Sequence, residues 1–426
     1  MFSIKMKIFK NKKNIYISLG IVAILIIVFA SFFIFSGKST PSQNQIDTNA
    51  PFGTGGGDTS FPTEVSGEGF ENTSPVNPPT GLSMWKISEI PVTGAGIFGT
   101  GTSTTIKFVE KATGHVYKYD PVSGVKERIS NTTIPKTSKI VWGKGGDSLL
   151  FQYEENGSIK TYYAQIATSS ATSTPSGDQG LVNGFFFEDN INNLVTSPSG
   201  NKIFYTLSGG SIFNFIISEF NGSKPLKIYS SRLKGWQNSF PNENSVSITS
   251  SPSYAAEGYS YLINLKSGLV EKTIGGKIGL TTLYSSSTKG VLYSKSVNNS
   301  FTSFLLNREN KIDLETNIST LPEKCVWGEK NSSFIYCGVP KNIPAGTYPD
   351  DWYKGKISFS DNVWIYDTNT SATESVIDPL KSVGEDIDMV EPKLSKDETL
   401  LIIRNKKDSS LWALKLDPKR IIEYVD

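Results

Sequence analysis

Five consecutive residues in the last quarter of the chain combine side chain types that often bind ligands. The run is Asp350, Asp351, Trp352, Tyr353 and Lys354. Aromatic rings flanked by polar groups form the platforms on which peptides and glycans dock. The run therefore predicts a binding surface. The alternative that remains open is that Trp352 packs inside the fold and the segment is architectural.

Two further polar clusters could extend the same surface. The first joins an indole to amides and a carboxylate: Trp236, Asn242, Glu243 and Asn244. The second is acidic: Glu385, Asp386 and Asp388. Carboxylate oxygens can hold a cation, but the spacing matches no known calcium loop. We therefore interpret the acids as solvated loop residues or as residues that stabilise turns, and the sequence predicts no metal and no cofactor.

Motifs for catalysis are sparse in this chain. His115 is the only histidine, so a triad or a metal site built on several histidines lacks its members. Residues 94–99 match GxGxxG, but a strand pattern follows them where a dinucleotide site needs a helix. The enzymatic option that remains is glycan cleavage by two rim carboxylates about 5–10 Å apart. The sequence favours a non-catalytic protein and leaves enzyme activity open.

The elements that would position these residues are short strands in a repeating order. One recurring unit is an apolar hairpin, found at 140–153, 195–207, 283–295, 325–337 and 392–404. A second is an aromatic strand that runs into a turn, found at 115–124, 161–170, 212–222, 261–268, 301–310, 363–372 and 411–420. The second unit recurs roughly every 40–50 residues, the length of a four-stranded propeller blade. The pattern predicts an all-β, seven-bladed β-propeller over residues 84–426.

Several segments resemble known propeller families. The hairpin VTSPSGNKIFYTL (195–207) resembles the SPDGK-type repeat of the WD40-like propellers of the TolB family. The stretches PEKCVWGEKNSSFIYC, YPDDWYKGKISFSDNVWIYD and GEDIDMV resemble a group of membrane-anchored bacterial propellers. The resemblance implies a propeller fold and a location in a bacterial envelope.

The N-terminal segment predicts a membrane anchor. Residues 1–13 carry five lysines, and residues 14–36 carry no charge and are mostly apolar. About twenty apolar residues suffice for a helix to cross a bilayer, and lysines remain on the cytoplasmic side. We predict a single transmembrane helix at 14–36 with the N-terminus in the cytoplasm. The alternative is a cleaved signal peptide, although the apolar run is longer than such peptides need.

Residues 37–83 are rich in Pro, Gly, Ser and Thr and predict a disordered linker to the propeller. The chain carries a net charge of +2, but the basic tail supplies more than this, so no basic surface is left for nucleic acid. The sequence and the resemblance together favour a membrane-anchored, extracytoplasmic, non-catalytic scaffold that binds an envelope protein, peptide or glycan. The alternatives are the glycan-cleaving enzyme and a role in assembling a larger envelope complex.

The repeat also predicts where the candidate residues lie. If the strands of a blade are a, b, c and d, antiparallel pairing puts b–c loops and d–a connections on one face. We name this the b–c face, and the opposite one the a–b face. A long b–c insertion in the sixth blade (338–361) carries the run 350–354. We expect the other two clusters in d–a connections, so that all three share the b–c face.

The two cysteines flank one of the apolar hairpins. Cys325 and Cys337 lie on either side of its turn, so they can face each other across the two strands. A disulfide persists outside the cytoplasm. We predict a disulfide between them, with two buried thiols as the alternative.

Overall fold

The computed structural model describes residues 83–167 and 180–417. These residues form seven four-stranded antiparallel sheets, which confirms the all-β, seven-bladed propeller. The predicted transmembrane helix (14–36), the basic tail and the linker lie outside the described residues, apart from Ser83. Within 83–167 and 180–417 there is no helix long and apolar enough to span a bilayer.

Each blade is a sheet of four strands. In most pairs of neighbouring blades the a strands contact one another around the axis, so they line the channel. They are β2 (Val92–Phe98), β6 (Thr137–Trp142), β10 (Asn192–Thr196), β14 (Trp236–Asn242), β18 (Thr281–Tyr284), β22 (Cys325–Trp327) and β26 (Met389–Leu394). The b strands are β3 (Thr105–Glu110), β7 (Ser148–Glu155), β11 (Lys202–Gly209), β15 (Ser245–Ser250), β19 (Gly290–Val297), β23 (Phe334–Pro340) and β27 (Leu400–Asn405).

The two outer strands complete each sheet. The c strands are β4 (Val116–Tyr119), β8 (Ser158–Ile166), β12 (Ile212–Glu219), β16 (Glu257–Asn264), β20 (Ser300–Asn307), β24 (Asp361–Asp367) and β28 (Leu411–Lys415). The d strands are β5 (Lys126–Arg128), β9 (Leu181–Phe186), β13 (Leu226–Ser231), β17 (Val270–Ile278), β21 (Ile312–Glu315), β25 (Thr373–Ile377) and β1 (Met84–Ser88). All seven third strands coincide with the aromatic repeat of the sequence.

The ring is closed by the first strand. β1 pairs antiparallel with β28, with Met84 opposite Leu414 and Trp85 opposite Ala413. The seventh blade therefore takes three strands from the end of the propeller and its outer strand from the beginning. This pairing joins the two ends of the repeat array, so that opening the ring would break a complete strand ladder.

The core lies between the blades. Successive residues of a strand point to opposite faces of its sheet, and both faces are covered by a neighbouring blade. In β11, Ile203 packs towards the second blade and Phe204 towards the fourth. All seven blade interfaces hold such a buried cluster. Burial of each large apolar side chain contributes about 1.5–3 kcal/mol, which explains the nearly continuous apolar runs of the b strands.

The SPSG turn of the third blade shows why the repeat needs a glycine. Gly200 has a φ of 73°, and an added Cβ would lie 2.4 Å from the backbone N of Lys144 in the second blade. That same N–H donates to the Gly200 carbonyl at 3.1 Å. The turn of one blade therefore packs backbone to backbone against the turn of its neighbour, which leaves no room for a side chain.

Irregular elements sit mainly between strands. Three short 3-10 turns cover Gly101–Ser103, Lys144–Gly146 and Pro322–Lys324. Helix α1 (Asp350–Tyr353) lies in the b–c connection of the sixth blade, between β23 and β24, and the Tyr348–Pro349 peptide bond before it is cis. Helix α2 (Pro379–Val383) begins at Asp378, whose carboxylate accepts from the backbone N of Lys381, and ends at Gly384 in the left-handed conformation.

Candidate functional site

The insertion of the sixth blade, residues 341–360, lies across several blades on the b–c face. The Asp350 carboxylate accepts a hydrogen bond from the Tyr254 backbone N of the fourth blade at 2.8 Å. The Gly346 backbone N donates to the Asn299 carbonyl of the fifth blade, also at 2.8 Å. Val390 of the seventh blade packs under it. The insertion therefore bridges blades four to seven.

A small core of its own holds the insertion in place. It consists of Phe301, Leu321, Tyr348, Trp352, Phe359 and Val390. The Tyr348 ring lies 5.0 Å from Phe301 and 5.9 Å from Phe359, measured between centroids. Trp352 is only 2% exposed. The expectation of an exposed platform at Trp352 is thereby corrected, because the indole faces inwards and the packing alternative describes it.

Beneath Trp352 lies a fully buried group of three charges. The Lys324 ammonium lies 2.7 Å from an Asp361 carboxylate oxygen and also contacts the Asp388 carboxylate. Asp388 accepts hydrogen bonds from Trp352 Nε1 at 3.0 Å and from the Phe359 backbone N at 3.1 Å. We call Lys324, Asp361 and Asp388 the buried triad.

The buried triad corrects the prediction for Asp388, which was expected at the solvated rim. Its side chain is fully buried because it compensates a buried ammonium and an indole N–H. Lys324 Nζ also lies 5.0 Å from the Phe359 ring centroid and 5.2 Å from that of Trp352. Charge pairing, hydrogen bonds and cation–π contacts together offset the desolvation of the ammonium.

Asp351 fixes the turn of the insertion and does not face a ligand. Its carboxylate accepts from the Thr347 hydroxyl at 2.7 Å and the Thr347 backbone N at 2.8 Å. These hydrogen bonds to Thr347, with a contribution from Lys356, lower the pKa of Asp351 to about 2. Lys354, next along the helix, is exposed and lies 3.6 Å from Asp350.

Several exposed apolar or aromatic side chains lie on this part of the b–c face, and three of them form the candidate binding surface. They are Leu233, Tyr254 and Tyr353, which are 65%, 48% and 37% exposed. We call this set the aromatic rim. Tyr353 is held in place by its hydroxyl, which donates to the Glu323 carboxylate and accepts from Gln237 Nε2 at 3.5 Å. Because Gln237 lies on the a strand of the fourth blade, Tyr353 of the sixth blade spans part of the channel mouth.

The carboxylate of Glu323 is buried at this channel mouth. Burial raises its pKa, and its Oε2 atom is buried with no hydrogen-bond partner among the described residues. Desolvation and the nearby Glu323 charge raise the pKa of Tyr353 well above its ordinary value. The phenol of Tyr353 therefore stays protonated across the neutral pH range and can donate its hydrogen bond to Glu323.

We expect Glu323→Gln to change the pH dependence of stability. A carboxyl with a folded-state pKa above its unfolded value binds more protons when folded, so its burial penalty grows as pH rises through the folded pKa. The free energy of unfolding of the wild type should thus fall, relative to that of Glu323→Gln, as pH rises from 4.5 towards 7. Urea unfolding of both proteins at several pH values measures the difference. Parallel pH profiles would contradict the assignment.

The cluster around Trp236 lies elsewhere than predicted. Residues 236–242 form the a strand β14, where a d–a connection was expected, and Trp236 is buried with its Nε1 donating to the Leu233 carbonyl at 2.9 Å. Asn242, Glu243 and Asn244 consequently form the a–b turn, on the opposite face of the propeller. Their placement on the b–c face was wrong because β14 begins before the polar residues that were interpreted as a loop.

On the a–b face these residues brace neighbouring blades. Glu243 accepts from the Ser199 backbone N of the third blade at 2.7 Å. Asn242 Nδ2 donates to the Ser286 carbonyl of the fifth blade at 2.6 Å, and its Oδ1 accepts from the Asn244 backbone N at 2.9 Å. The contacts link the a–b turns of three blades.

The acids before the seventh blade do not converge on a common point. Glu385 lies 3.1 Å from Lys86, and Asp386 contacts Lys407, so each has its own cation. Asp388 belongs to the buried triad. Within the part of the chain that the structure describes, no group of three His, Cys, Asp or Glu side chains could hold a metal ion.

Cys325 and Cys337 face each other across β22 and β23 and are joined by a disulfide. The bond closes a hairpin with a sequence separation of 12 residues. It directly follows the 3-10 turn that carries Glu323 and Lys324. The disulfide therefore fixes the strand that positions both charged residues.

We expect Cys337→Ser to lower the free energy of unfolding by about 3 kcal/mol, because the unfolded chain regains the entropy of the open loop. Guanidinium unfolding of the purified, oxidised protein without reductant measures the change. Reduced wild type should lose a similar amount, and Cys337→Ser should then be insensitive to reductant. A variant as stable as the oxidised wild type would contradict a structural role for the bond.

Sequence reasoning did not identify the residues that hold this site together. Glu323 and Lys324 are adjacent, but Asp361 and Gln237 lie far from them in the chain, and none of the four belongs to a catalytic or ligand-binding motif. One feature of the sequence could have indicated the buried lysine. Lys324 lies between Pro322 and Cys325, directly before an inner strand, where a side chain is expected to be buried.

Together the fold and the site define a seven-bladed propeller, closed by its first strand, with an ordered insertion over the channel mouth. No protein-family model matches the chain, and no curated protein matches it. Solved structures with a similar fold include the oligogalacturonate lyase of Vibrio parahaemolyticus, with 8% identity over 78% of this chain and 98% of that chain, at a TM-score of 0.48.

Two further propellers are similar. TolB from Acinetobacter baumannii shares 14% identity over 76% of this chain and 79% of that chain, at a TM-score of 0.40. The tricorn protease shares 12% identity over 77% of this chain and 33% of that chain, at a TM-score of 0.48. At these identities the likeness is one of fold, and it assigns neither substrate nor partner.

Proposed function

We propose that the protein is a membrane-anchored, extracytoplasmic scaffold that binds an envelope protein, peptide or glycan without transforming it. The observation that carries the proposal is the aromatic rim. Leu233, Tyr254 and Tyr353 expose apolar area on one face, while the insertion beside them is fixed by Trp352 and the buried triad. Preorganised aromatic side chains with polar groups beside them bind with little ordering cost.

The state of the candidate acids favours binding over catalysis. Glu385, Asp386 and Asp388 each contact a lysine ammonium. A glycan-cleaving pair needs one protonated and one free carboxyl on either side of the substrate. Acids that are compensated separately by cations do not supply such a pair.

One observation keeps the glycan-cleaving alternative as a second candidate. The raised pKa of Glu323 is the property that a general acid needs. Its hydrogen bond from Tyr353 fits equally well with a positioning role at the rim. If Glu323→Gln retains full partner binding and the wild type releases no sugar fragments from envelope glycans, the scaffold proposal is supported. Glycan cleavage lost in Glu323→Gln would overturn it.

Site-specific photo-crosslinking in intact cells tests the binding face. A photoreactive amino acid replaces Leu233 or Tyr254 on the b–c face, and Val122 or Leu269 in the c–d turns of the opposite face serves as the matched control. All four side chains are strongly exposed. We expect both b–c positions to give an adduct of the same mass and both control positions to give none. Adducts that are equally strong from the two faces, or none from the b–c face, would contradict the proposal.

The location rests on the apolar segment 14–36 and the lysines before it. Protease added to intact spheroplasts should remove the propeller and leave the basic tail protected. A full-length chain that survives protease until the membrane is permeabilised would overturn the extracytoplasmic placement.

A further inference from the structure

The wall of the channel is charged on one side only. Among the seven a strands, only β6 and β26 contain charged residues, and these are Lys139, Glu391 and Lys393. The first, second and seventh blades are neighbours in the ring, with β2 of the first blade between β26 and β6. The two ammonium groups and the carboxylate therefore share one side of the lumen.

The carboxylate is already compensated by another residue. Glu391 accepts from Arg404 of β27 at 2.6 Å and 3.3 Å through its two oxygens. Its charge interacts with both lysines, which places all of these groups near one another. With Arg404 counted, three cations face one anion, so this side of the channel carries excess positive charge.

The lysines themselves are poorly compensated. Lys393 Nζ donates to the Ala95 carbonyl of the first blade at 2.5 Å, which is a neutral partner. For Lys139, no hydrogen bond or ion pair links its ammonium to any side chain or carbonyl in residues 83–167 and 180–417. Burial lowers the pKa of both lysines, although both side chains keep accessible surface. A side chain that is surrounded by protein and still reaches solvent is expected where it points into an open channel.

The opposite wall is polar and neutral. It carries the amides and hydroxyl of Asn193, Gln237, Asn238 and Thr282. Asn238 and Thr282 are already engaged within the blades: Asn238 Nδ2 donates to the Asn193 carbonyl at 2.9 Å and to the Thr206 hydroxyl at 3.2 Å, and the Thr282 hydroxyl shares a hydrogen bond with that of Thr249 at 2.7 Å. The side chain amides of Asn193 and Gln237 remain for a ligand. Side chain amides can both donate to and accept from a peptide backbone.

We propose that the channel is a second binding site, distinct from the aromatic rim, which takes an extended acidic peptide with a carboxylate between Lys139 and Lys393. The cationic side supplies the charge-assisted hydrogen bonds, and the amide side meets the peptide backbone. Tyr353 narrows the mouth on the b–c face, so the peptide enters from the a–b face. The inference stands independently of the proposed function, because it involves other residues on the other side of the insertion.

Calorimetry with two matched peptides tests the site. The probes are a capped peptide of alternating Glu and Gly and its twin with Gln in place of Glu, added to the full-length chain in detergent micelles. We expect the Glu peptide to bind and the Gln twin to bind at least about tenfold more weakly, since charge-assisted hydrogen bonds are lost. Equal affinities for the two peptides would overturn the proposal.

Variants assign the binding to the two lysines. Each of the substitutions Lys139→Gln and Lys393→Gln should lower the affinity for the Glu peptide by about tenfold or more. Lys139→Arg retains the cation and should keep most of the affinity. Lys227→Gln, on an exposed outer strand, is the matched control and should change nothing. A loss in Lys227→Gln as large as that in Lys139→Gln would show non-specific attraction and overturn the proposal.

Acetylation of the wild type keeps the test decisive if a variant fails to fold. Mass spectrometry measures the rate at which each lysine reacts in the presence of either peptide. The Glu peptide should slow the reaction of Lys139 and Lys393 and leave that of Lys227 unchanged, and the Gln twin should slow none. Unchanged rates at Lys139 and Lys393 with the Glu peptide would overturn the channel site.

Discussion

Replacing Asp388 by alanine is expected to lower the free energy of unfolding by about 3–5 kcal/mol, the range found when one partner of a buried ion pair is removed. The substitution leaves the Lys324 ammonium with Asp361 as its only carboxylate. It also leaves the Trp352 indole N–H and the Phe359 backbone N without their acceptor. Each orphaned donor adds to the loss. Urea unfolding followed by tryptophan fluorescence measures the change.

Asp386→Ala is the matched control, two residues before Asp388 on the same connection. Asp386 pairs with Lys407 at a largely solvated position. Exposed pairs contribute about 0–1 kcal/mol, so the control should remain close to the wild type. If the two substitutions destabilise the protein equally, the buried triad does not organise the insertion as described here.

Trp352→Ala should also destabilise the protein by about 3–5 kcal/mol, because deleting a buried Trp removes its apolar contacts and leaves a cavity. The ring stacks near Phe359 with its centroid 6.2 Å away and contacts the Lys324 and Lys406 ammonium groups. Losing it should release the insertion from blades five to seven. Thermal and urea unfolding of the purified chain give the magnitude.

Tyr254→Ala is the control for Trp352→Ala, since it removes an aromatic ring from the same face at an exposed position. Substitutions at exposed positions usually change stability by no more than about 0.5 kcal/mol. If Trp352→Ala lowers the free energy of unfolding no more than Tyr254→Ala does, then Trp352 does not anchor the insertion. That result would favour the exposed platform over the packing role.

The repeat was predictable because its physical cause is local. Each hairpin joins two strands, the second with an apolar run, through a turn that needs Gly, Asn or Ser, and these features appear within about a dozen residues of sequence. The closing strand was not predictable in this way. β1 is a single strand whose partner, β28, lies at the other end of the propeller, so no local signal links Met84 to Leu414.

The misplacement of Trp236 has a different cause. β14 reads WQNSFPN, which resembles a loop because a strands line the channel and need polar residues there. The strand is instead revealed by its pairing, in which Trp236 faces Ser250 and Ser239 faces Ser247. Composition alone cannot separate a polar strand at a channel wall from a polar loop.

The orientation of Trp352 was open for a similar reason. The same indole suits an exposed platform or a buried anchor, and the deciding contact is with Asp388, 36 residues further along the chain. Asp388 in turn is buried because Lys324 lies opposite it. The burial of each of these three residues depends on its contacts with the other two, so none of them predicts the site from its own position in the sequence.

The measurement that tests the central claim most directly is partner recovery by the double variant Tyr254→Ala/Tyr353→Ala. Full-length protein is purified from cells after cross-linking, and partner is quantified per folded molecule against the double variant Val122→Ala/Leu269→Ala, which removes apolar area from the opposite face. The account predicts that the b–c variant loses at least about nine tenths of its partner, as expected when aromatic hot spots are truncated, and that the control retains it. Equal recovery by both variants would contradict a binding role for the aromatic rim.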